Sequence, residues 1–411
     1  MVEKNNKRHL CALDIGSSKV VALIGEAQSH DEIHIIGIGE AESRGVKQGL
    51  IVDIGAASQA IKHAIEEAEN MVDARIQSVV IGIGGNHIQS MNSSAKVRIK
   101  DGEVNRSDIE RVLENARAVS IPQDHQILRT VTQEYVIDNI FGIKEPLGMS
   151  GTSLEARIHI VTGAITAIQN TEKCIQRLGL NLHDEPHVQS LASAIAVLTD
   201  EDKNSDGVCC IDIGAETTDI AVFTNGAIRH NAVIPLGGEH ITKDIAMHLK
   251  TPKKAAEFIK KVYGAATDTL EDLDEMIEVP GMGDRAPCQT SRKTLSLIIK
   301  ARLIEIFSII WNELDRAGFS EEQLLNGIIL TGGTSLMTGI VDLAESEFNL
   351  PVMVGVPREA GGLSDRIRNP RYATAVGLLY ESFSNYFEYQ ETASSWDGFV
   401  NFFVELKNKL F

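Results

Sequence analysis

The sequence predicts an α/β protein with two related lobes around a ligand cleft. The chain has 411 residues, which is room for two or three domains or subdomains. A strand–turn–strand motif occurs twice, first as Leu13-Asp-Ile-Gly-Ser-Ser-Lys19 and again as Ile211-Asp-Ile-Gly-Ala-Glu-Thr-Thr-Asp219. The same order of elements follows each copy, and a chance repeat of Asp-x-Gly does not explain that order.

Each motif is followed by a third strand, a helix and a buried strand that ends in glycines. These elements are predicted at Ile33–Ile38, Ala56–Asn70 and Ser78–Gly85 in the first copy, and at Ile228–Pro235, Glu239–His248 and Gly327–Gly333 in the second. Each copy also carries an extra module, at roughly 86–163 and roughly 250–317. The polar stretch Gly264–Thr290, which contains glycine and proline, is predicted as a loop.

Composition places the chain among ordinary soluble globular proteins, with 43% hydrophobic and 23% charged residues. The net charge of −18 argues against a protein that follows nucleic-acid phosphates, because such domains are usually basic. A nucleotide is compatible with this charge, because main-chain N–H groups bind phosphate. Five scattered cysteines without metal-ligand spacing indicate reduced thiols in a cytosolic protein. No segment has the roughly 20 apolar residues that span a bilayer.

The two motifs have the residue types of a phosphate site. Glycine in a turn lets main-chain amides approach phosphate oxygens, and hydroxyl and ammonium groups add donors. Asp14 and Asp212, facing each other across the cleft, would hold Mg²⁺ through water. Either turn alone is as compatible with a simple hairpin, but the facing pair favours a phosphate clamp. The candidate residues are Asp14, Gly16, Ser17, Ser18, Lys19, Asp212, Gly214, Ala215, Glu216, Thr217 and Thr218.

A second group of candidates is predicted to contact the base and ribose of a nucleotide. In Leu330–Ile340 a strand runs into a Gly-Gly turn, which would let a flat base lie against bare backbone; a plain strand-to-helix connection is the alternative. Glu257 and Lys260 share one helical face, as ribose ligands or as a solvated ion pair. There is no Walker A sequence. The candidates are Gly237, Gly238, Glu257, Lys260, Gly332, Gly333 and Thr334.

The last sixteen residues, 396–411, predict an amphipathic helix after a polar linker at 388–395. At about 1.5 Å per residue the helix is roughly 24 Å long, too short for a hydrocarbon core of roughly 30 Å. It would lie in the membrane interface, although a helix docked on the protein's own core is the alternative. The membrane-facing candidates are Trp396, Phe399, Val400, Phe402, Phe403, Leu406, Leu410 and Phe411.

The two motifs resemble the phosphate motifs of the actin, sugar-kinase and chaperone ATPase superfamily, and Leu330–Ile340 resembles its adenosine motif. Further phrases narrow the resemblance to the FtsA family of bacterial cell-division proteins. They cover the chain at compatible spacing and are Ser43–Gly49, Gln133–Asp138, Gly142–Gly151, Leu191–Leu198 and Arg371–Leu379.

The resemblance implies an actin-like fold of two ribonuclease-H-like lobes that binds ATP and Mg²⁺. It implies a protein that polymerises on the cytoplasmic face of the inner (cell) membrane at the division site. Its expected partners are the C-terminal tail of FtsZ, further copies of itself, membrane lipid and later division proteins. These later proteins would bind through the inserted module, and Arg302 matches a basic position of the FtsZ-tail pocket. No nucleic-acid partner is expected.

The implied domain order starts and ends in the first lobe. The first lobe would comprise 1–84, 164–204 and 366–387, with an insertion at 85–163. The second lobe would comprise 205–241 and 318–365, with an insertion at 242–317. Many relatives have glycine where this chain has Glu216, whose carboxylate would either hold Mg²⁺ or repel phosphate. No general base can be named, so ATP hydrolysis is expected to be slow or absent. The alternatives are a PilM-type pilus-assembly scaffold and another actin-fold ATPase or kinase.

Overall fold

The structure is a computed structural model that describes residues 9–29, 32–72, 74–267, 269, 274–358 and 361–384. The predicted linker at 388–395 and the predicted amphipathic helix at 396–411 lie outside these residues.

The first lobe begins with three antiparallel strands, a short hairpin, a helix and a further strand. Strand β1 is apolar almost throughout because it is buried on both faces. Strand β6 pairs with β1 in parallel, with Val79 opposite Cys11. The elements are β1 (His9–Ile15), β2 (Lys19–Ser29), β3 (Glu32–Glu42), β4 (Val46–Lys47), β5 (Leu50–Ile51), α1 (Ile54–Glu69) and β6 (Ser78–Ile83).

An α+β unit follows, with four strands in the order β7–β10–β8–β9 and one helix packed on them. Its small core includes Val112 of the helix and Leu154 and Ala156 of the central strand. The elements are β7 (Gln89–Arg98), α2 (Arg106–Arg117), β8 (His125–Ile137), β9 (Ile140–Ile143) and β10 (Ser153–Ala164). We call this unit the inserted subdomain.

The chain then returns to the first lobe and crosses to the second. Strands β11 and β12 both pair with β6. Helix α4 is almost entirely buried, and its residues contact strands of both lobes. The elements are α3 (Ile165–Arg177), β11 (Asn181–Leu182), β12 (His187–Val188), α4 (Gln189–Val197) and α5 (Asp200–Asn204).

The second lobe repeats the topology of the first, which confirms the predicted duplication. Three antiparallel strands and a helix come first, and a later strand, β18 (Ile328–Thr331), pairs in parallel with β13, with Ile328 opposite Cys209. With a short last strand, β19 (Val352–Val354), the sheet order is β15–β14–β13–β18–β19. The first elements are β13 (Val208–Ile213), β14 (Thr218–Thr224), β15 (Ala227–Ile234) and α6 (Gly238–His248).

The second insertion is mostly helical, as predicted, but the loop predicted at Gly264–Thr290 is wrong in part. That stretch contains a strand and most of its antiparallel partner, with Ile277 and Val279 buried. Burial alternates along Met276–Val279, but the exposed Met276 is itself apolar, so the four residues gave too short and too irregular a signal among the surrounding turn residues. The elements are α7 (Lys253–Tyr263), β16 (Met276–Val279), β17 (Cys288–Ser291) and α8 (Arg292–Arg316).

The remaining described chain completes the second lobe and returns to the first, where Leu379 of the last helix packs near Gly25 of β2. The domain boundaries given above stay predictions. The elements are a 3₁₀ turn (Glu321–Gln323), β18 (Ile328–Thr331), a second 3₁₀ turn (Gly333–Leu336), α9 (Ile340–Phe348), β19 (Val352–Val354), β20 (Gly361–Gly362), α10 (Ser364–Ile367), a third 3₁₀ turn (Pro370–Tyr372) and a helix over 373–384.

Candidate functional site

Two carboxylates lie near each other where the lobes join. Asp14 is the next-to-last residue of β1, and Asp212 is the next-to-last residue of β13. Gln189 Nε2 lies 3.5 Å from Asp14 Oδ1, and Ser193 Oγ donates to Asp212 Oδ2 at 2.6 Å. Gln189 and Ser193 are one turn apart on α4. This buried helix therefore contacts both carboxylates and holds them in position relative to each other.

Both carboxylates are suited to a cation. Burial raises the pKa of Asp14 to about 7, with Lys19 opposing the rise and Asp212 adding to it. Burial also raises the pKa of Asp212, against hydrogen bonds from Ser193 and Thr374. Mg²⁺ commonly takes one or two carboxylates together with water and phosphate oxygens. In the part of the chain that the structure describes, no group of three or more His, Cys, Asp or Glu side chains forms a complete metal site.

Lys19 brings a positive charge to the same place. Its Nζ is buried without a hydrogen-bond acceptor among the described residues, and it lies 4.4 Å from the centre of the Tyr372 ring. Burial lowers the pKa of Lys19 to about 8, with Arg371 adding to the fall and nearby carboxylates opposing it. A buried ammonium without an acceptor is costly, so these residues fit a phosphate group.

The two Gly-containing turns have the same backbone pairing. Gly16 N–H donates to Lys19 O at 3.0 Å, and Gly214 N–H donates to Thr217 O at 2.9 Å. Among the predicted hydroxyl donors, the structure does not bring Thr218 to this surface. Its side chain is buried and donates to a carbonyl inside the second lobe, that of Leu236, at 2.8 Å.

The other residues of the turns are at least partly accessible. Ser18 is exposed, and Ser17 Oγ accepts a hydrogen bond from Gly49 N–H at 3.1 Å. In the second turn, the Ala215 carbonyl accepts from Glu239 N–H at 2.7 Å. The Glu216 carboxylate accepts a hydrogen bond from Gln48 N–H of the first lobe at 2.7 Å.

The predicted base and ribose residues join the second turn through one carbonyl. Gly214 O accepts from Gly238 N–H and from Thr334 Oγ1, each at 3.0 Å. A Cβ added at Gly237 would lie 2.7 Å from the same oxygen. Only glycine permits this approach, so the sequence Gly237–Gly238 is explained by packing of three backbone segments around the turn.

The two glycines of the turn at 332–333 have different surroundings, because the first is tightly packed and the second has open space in front of it. Gly332 has φ +84°, and a Cβ there would lie 2.2 Å from Asp212 Oδ1. A Cβ at Gly333 would meet only Arg371 Cγ, at 3.8 Å. The surface at Gly333 is therefore bare backbone with space in front of it, as a flat base requires.

Glu257 and Lys260 lie next to this surface and contact each other. Lys260 Nζ is 2.7 Å from Glu257 Oε2, and it donates to Gly238 O at 2.9 Å and to Thr242 Oγ1 at 2.8 Å. Thr242 Oγ1 also donates to Glu257. The ion pair predicted as one alternative is present, and it is positioned beside Gly238 rather than on an open helix face.

Sequence reasoning missed Gln189, Ser193 and Thr374, and gave Asp219 no role. Asp219 lies opposite Asp212 in the β13–β14 pairing, where the first lobe has Val21 opposite Asp14. Burial, with Asp212 and Asp14 nearby, raises the pKa of Asp219 well above its usual range. The available signal was that Asp219, an acidic residue, stands at the position that the buried Val21 occupies in the first copy of the motif. The helix α4 residues had no such signal.

Arg302 lies on α8, in the second insertion. Its guanidinium pairs with Asp244 through Nε and Nη2, the latter at 3.0 Å, and with Glu305 through Nη1 at 2.6 Å. The predicted membrane-facing residues at 396–411 lie outside the described residues. Within the described ranges, none of the helices combines the length and the apolar composition needed to cross a bilayer.

Two family models match the chain. The model described as Cell division protein FtsA matches residues 209–377, and the model described as SHS2 domain inserted in FTSA matches residues 85–162. Among solved structures, a PilM-PilN type IV pilus biogenesis complex is similar, with TM-score 0.65 and 17% identity over 92% of this chain and 99% of that chain. MreB5 of Spiroplasma citri bound to ADP has TM-score 0.53 and 15% identity, over 93% and 98%. These structures establish the actin-like fold.

Curated relatives are far more similar in sequence. Cell division protein FtsA of Neisseria meningitidis serogroup B is 54% identical over 377 residues, which is 92% of this chain and 91% of the relative. The FtsA proteins of Pseudomonas aeruginosa and of Escherichia coli K12 are 50% and 37% identical; the matches cover 92% of this chain and 90% and 91% of the relatives. The chain therefore belongs to the FtsA family of cell-division proteins.

Proposed function

We propose that this protein binds ATP with Mg²⁺ between its lobes and polymerises on the cytoplasmic face of the cell membrane at the division site. There it tethers FtsZ filaments and recruits later division proteins. The observation that carries the nucleotide site is the buried ammonium of Lys19, without an acceptor among the described residues, beside Asp14 and Asp212, whose carboxyl pKa values are raised.

The chain's own residues have distinct tasks in this site. Asp14 and Asp212 would hold Mg²⁺, which when bound supplies positive charge to the phosphates. Lys19 adds a second positive charge, and the amides of the two turns would bind phosphate oxygens. The bare backbone at Gly333 would take the base, with Glu257 and Lys260 beside the ribose.

Hydrolysis is proposed to be slow or absent. A general base must be ionised to accept a proton. Burial, with Asp212 and Asp14 nearby, raises the pKa of Asp219 well above its usual range and so favours its protonated form, which supports binding without rapid turnover. Phosphate release measured with saturating ATP and Mg²⁺ tests the point, and turnover at the common enzyme rate of about 10 per second would refute it.

The test of the nucleotide site is a thermal melt with ATP and Mg²⁺. Ligand at about 100 times its Kd stabilises the folded state by about 2.7 kcal/mol, so the melting temperature of the wild type should rise. Gly333→Arg should abolish the rise without damaging the fold, because Gly333 has open space in front of it. Leu325→Arg is the matched control, since Leu325 is 63% exposed. An undiminished rise in Gly333→Arg would remove the adenosine assignment.

The FtsZ tail is proposed to bind the second insertion near Arg302. A guanidinium has five N–H donors, and the contacts to Asp244 and Glu305 hold it in one orientation. Exposed Phe258 on α7 and Leu297 on α8 offer apolar contacts. Arg302→Gln should weaken binding of an FtsZ tail peptide, whereas Arg316→Gln, on the exposed end of the same helix, should not. Equal binding by both variants would place the pocket elsewhere.

The membrane contact is proposed to be the helix at 396–411, and later division proteins to bind the inserted subdomain. Exposed Ile140 and Phe141 on the edge strand β9 support a docking surface there. Sedimentation with liposomes, with and without residues 396–411, tests the membrane contact. The pilus-scaffold alternative has only a similarity of fold at 17% identity in its favour.

A further inference from the structure

The turn between β4 and β5 places two main-chain amides beside both phosphate turns. Lys47 pairs with Leu50, so Gln48 and Gly49 form a two-residue hairpin turn, with φ +50° and +77°. Gly49 packs against the main chain of the first lobe, since a Cβ there would lie 2.7 Å from Gly85 Cα. Its N–H donates to Ser17 Oγ in the first phosphate turn at 3.1 Å. The tip of the hairpin is thus fixed on the phosphate side of the cleft.

The other amide of this turn holds an anion from the opposite lobe. Gln48 N–H donates to Glu216 Oε2 at 2.7 Å, although the two residues are 168 positions apart. Hydrogen bonds from main-chain N–H groups to ionised oxygens are short and strong. Phosphate oxygens bind the same kind of donor. The Gln48 amide is therefore a donor of the kind that phosphate oxygens bind, and Glu216 accepts its hydrogen bond.

We propose that the Gln48 amide is a binding site for the terminal phosphate of a nucleoside triphosphate, and that Glu216 occupies it when no triphosphate is bound. A triphosphate then has to displace Glu216, whereas a diphosphate leaves the contact intact. Glu216 thereby sets the preference between ATP and ADP and holds the hairpin to the second lobe in the other states. This inference rests on the proposed binding of ATP in the cleft.

Two other roles of Glu216 make different predictions. If its charge simply repels phosphate, any residue that keeps the charge at 216 should behave like the wild type. If it holds Mg²⁺, its removal should weaken binding in Mg²⁺ and have no effect in EDTA. Glu216→Asp separates occupancy from charge, because aspartate keeps the charge but is one methylene too short to reach Gln48. Glu216→Gly removes both.

The experiment is a titration of the full chain with ATP and with ADP, each in Mg²⁺ and in EDTA. Loss of a charge-assisted competitor should tighten ATP binding by about tenfold in Glu216→Gly and in Glu216→Asp. ADP affinity should stay within about twofold. Glu322→Gln is the matched control, because Glu322 is exposed in the 3₁₀ turn at 321–323, so its loss of charge should leave both affinities unchanged.

Several results would overturn the inference. Equal changes for ATP and ADP, a wild-type affinity in Glu216→Asp, or a loss confined to Mg²⁺ would each do so. A wild type that binds neither nucleotide would overturn the proposed ATP site as well, whereas binding of both without an effect of Glu216 would overturn this inference alone.

Hydrogen exchange at the Gln48 amide gives a readout that is independent of affinity. Exchange should be slow in the wild type without nucleotide and fast in Glu216→Gly without nucleotide. ATP should restore protection in Glu216→Gly, and ADP should not. Equal protection by ATP and ADP in that variant would show that the third phosphate does not reach this amide.

Discussion

A buried ionic cluster joins the inserted subdomain, the first lobe and the last described helix, and it gives a sharp prediction about stability. His187 on β12 is 4% exposed and lies 2.9 Å from Asp184 Oδ2 and 3.0 Å from Glu381 Oε2. Arg129 on β8 contacts the other oxygen of Glu381 at 3.2 Å. Ser382 donates to Asp184 at 2.8 Å.

The ionisation of His187 sets the sign and the size of the effect. Burial alone would lower the pKa of His187, but Asp184 and Glu381 outweigh it and raise the pKa from the ordinary 6.5 to about 9. At about 1.4 kcal/mol per pH unit, this rise corresponds to about 3 kcal/mol. Because the pKa of the folded state is the higher one, the stabilisation is fully present below pH 6.5 and is lost as the pH rises to 9.

The assay is urea unfolding of the wild type and of His187→Gln at pH 6 and at pH 9.5. The loss of stability caused by His187→Gln should be larger at pH 6 than at pH 9.5 by about 3 kcal/mol. Other groups that titrate in this range, such as Lys19, are present in both proteins and cancel in the comparison. His63→Gln, on the exposed face of α1, is the control. A loss of the same size at both pH values would refute an ionised cluster.

The other predictions concern the cleft and the membrane contact. Gly332→Ala should lower the melting temperature because of its φ of +84° and its close approach to a carboxylate, whereas Gly333→Ala should leave it unchanged. Lys19→Met should weaken ATP binding by about tenfold or more and stabilise the protein without nucleotide, because a buried ammonium without an acceptor is removed. In liposome sedimentation, Trp396→Glu should release the protein and Lys409→Gln should not, and added salt that strips the wild type would contradict apolar insertion.

Local patterns were sufficient for the duplicated lobes but not for the contacts between distant segments. The motif at Asp14 and its repeat at Asp212 predicted the strands, the turns and a later buried strand that ends in glycines, because burial and glycine placement show in the local sequence. The Glu216 contact to Gln48 spans 168 positions. No periodicity or motif encodes such a pair, because it depends on how the two lobes are set against each other.

The same limit applies to single side chains, both within a motif and outside one. Thr218 stood in the phosphate motif, yet strand alternation turned its side chain into the second lobe. Gln189 and Ser193 carry no motif, yet one helical turn brings them to the two carboxylates. Sequence reasoning placed the turns correctly, but it could not decide which side chains of a turn face the cleft.

The attachments of the inserted subdomain have a mechanical consequence. Gln133 Nε2 donates to Ile228 O at 2.7 Å and Ser90 Oγ to Asn231 O at 2.7 Å, so the subdomain is bound to strand β15 of the second lobe. Arg129 binds it to Glu381, on the helix that packs on the first lobe. A cavity of about 870 Å³ lies beside the β15 contact, which is made by side chains rather than by a continuous sheet. If the angle between the lobes changes, the inserted subdomain cannot keep its contacts to both lobes unchanged. The side-chain contacts at β15, which have the cavity beside them, are then the ones with room to rearrange.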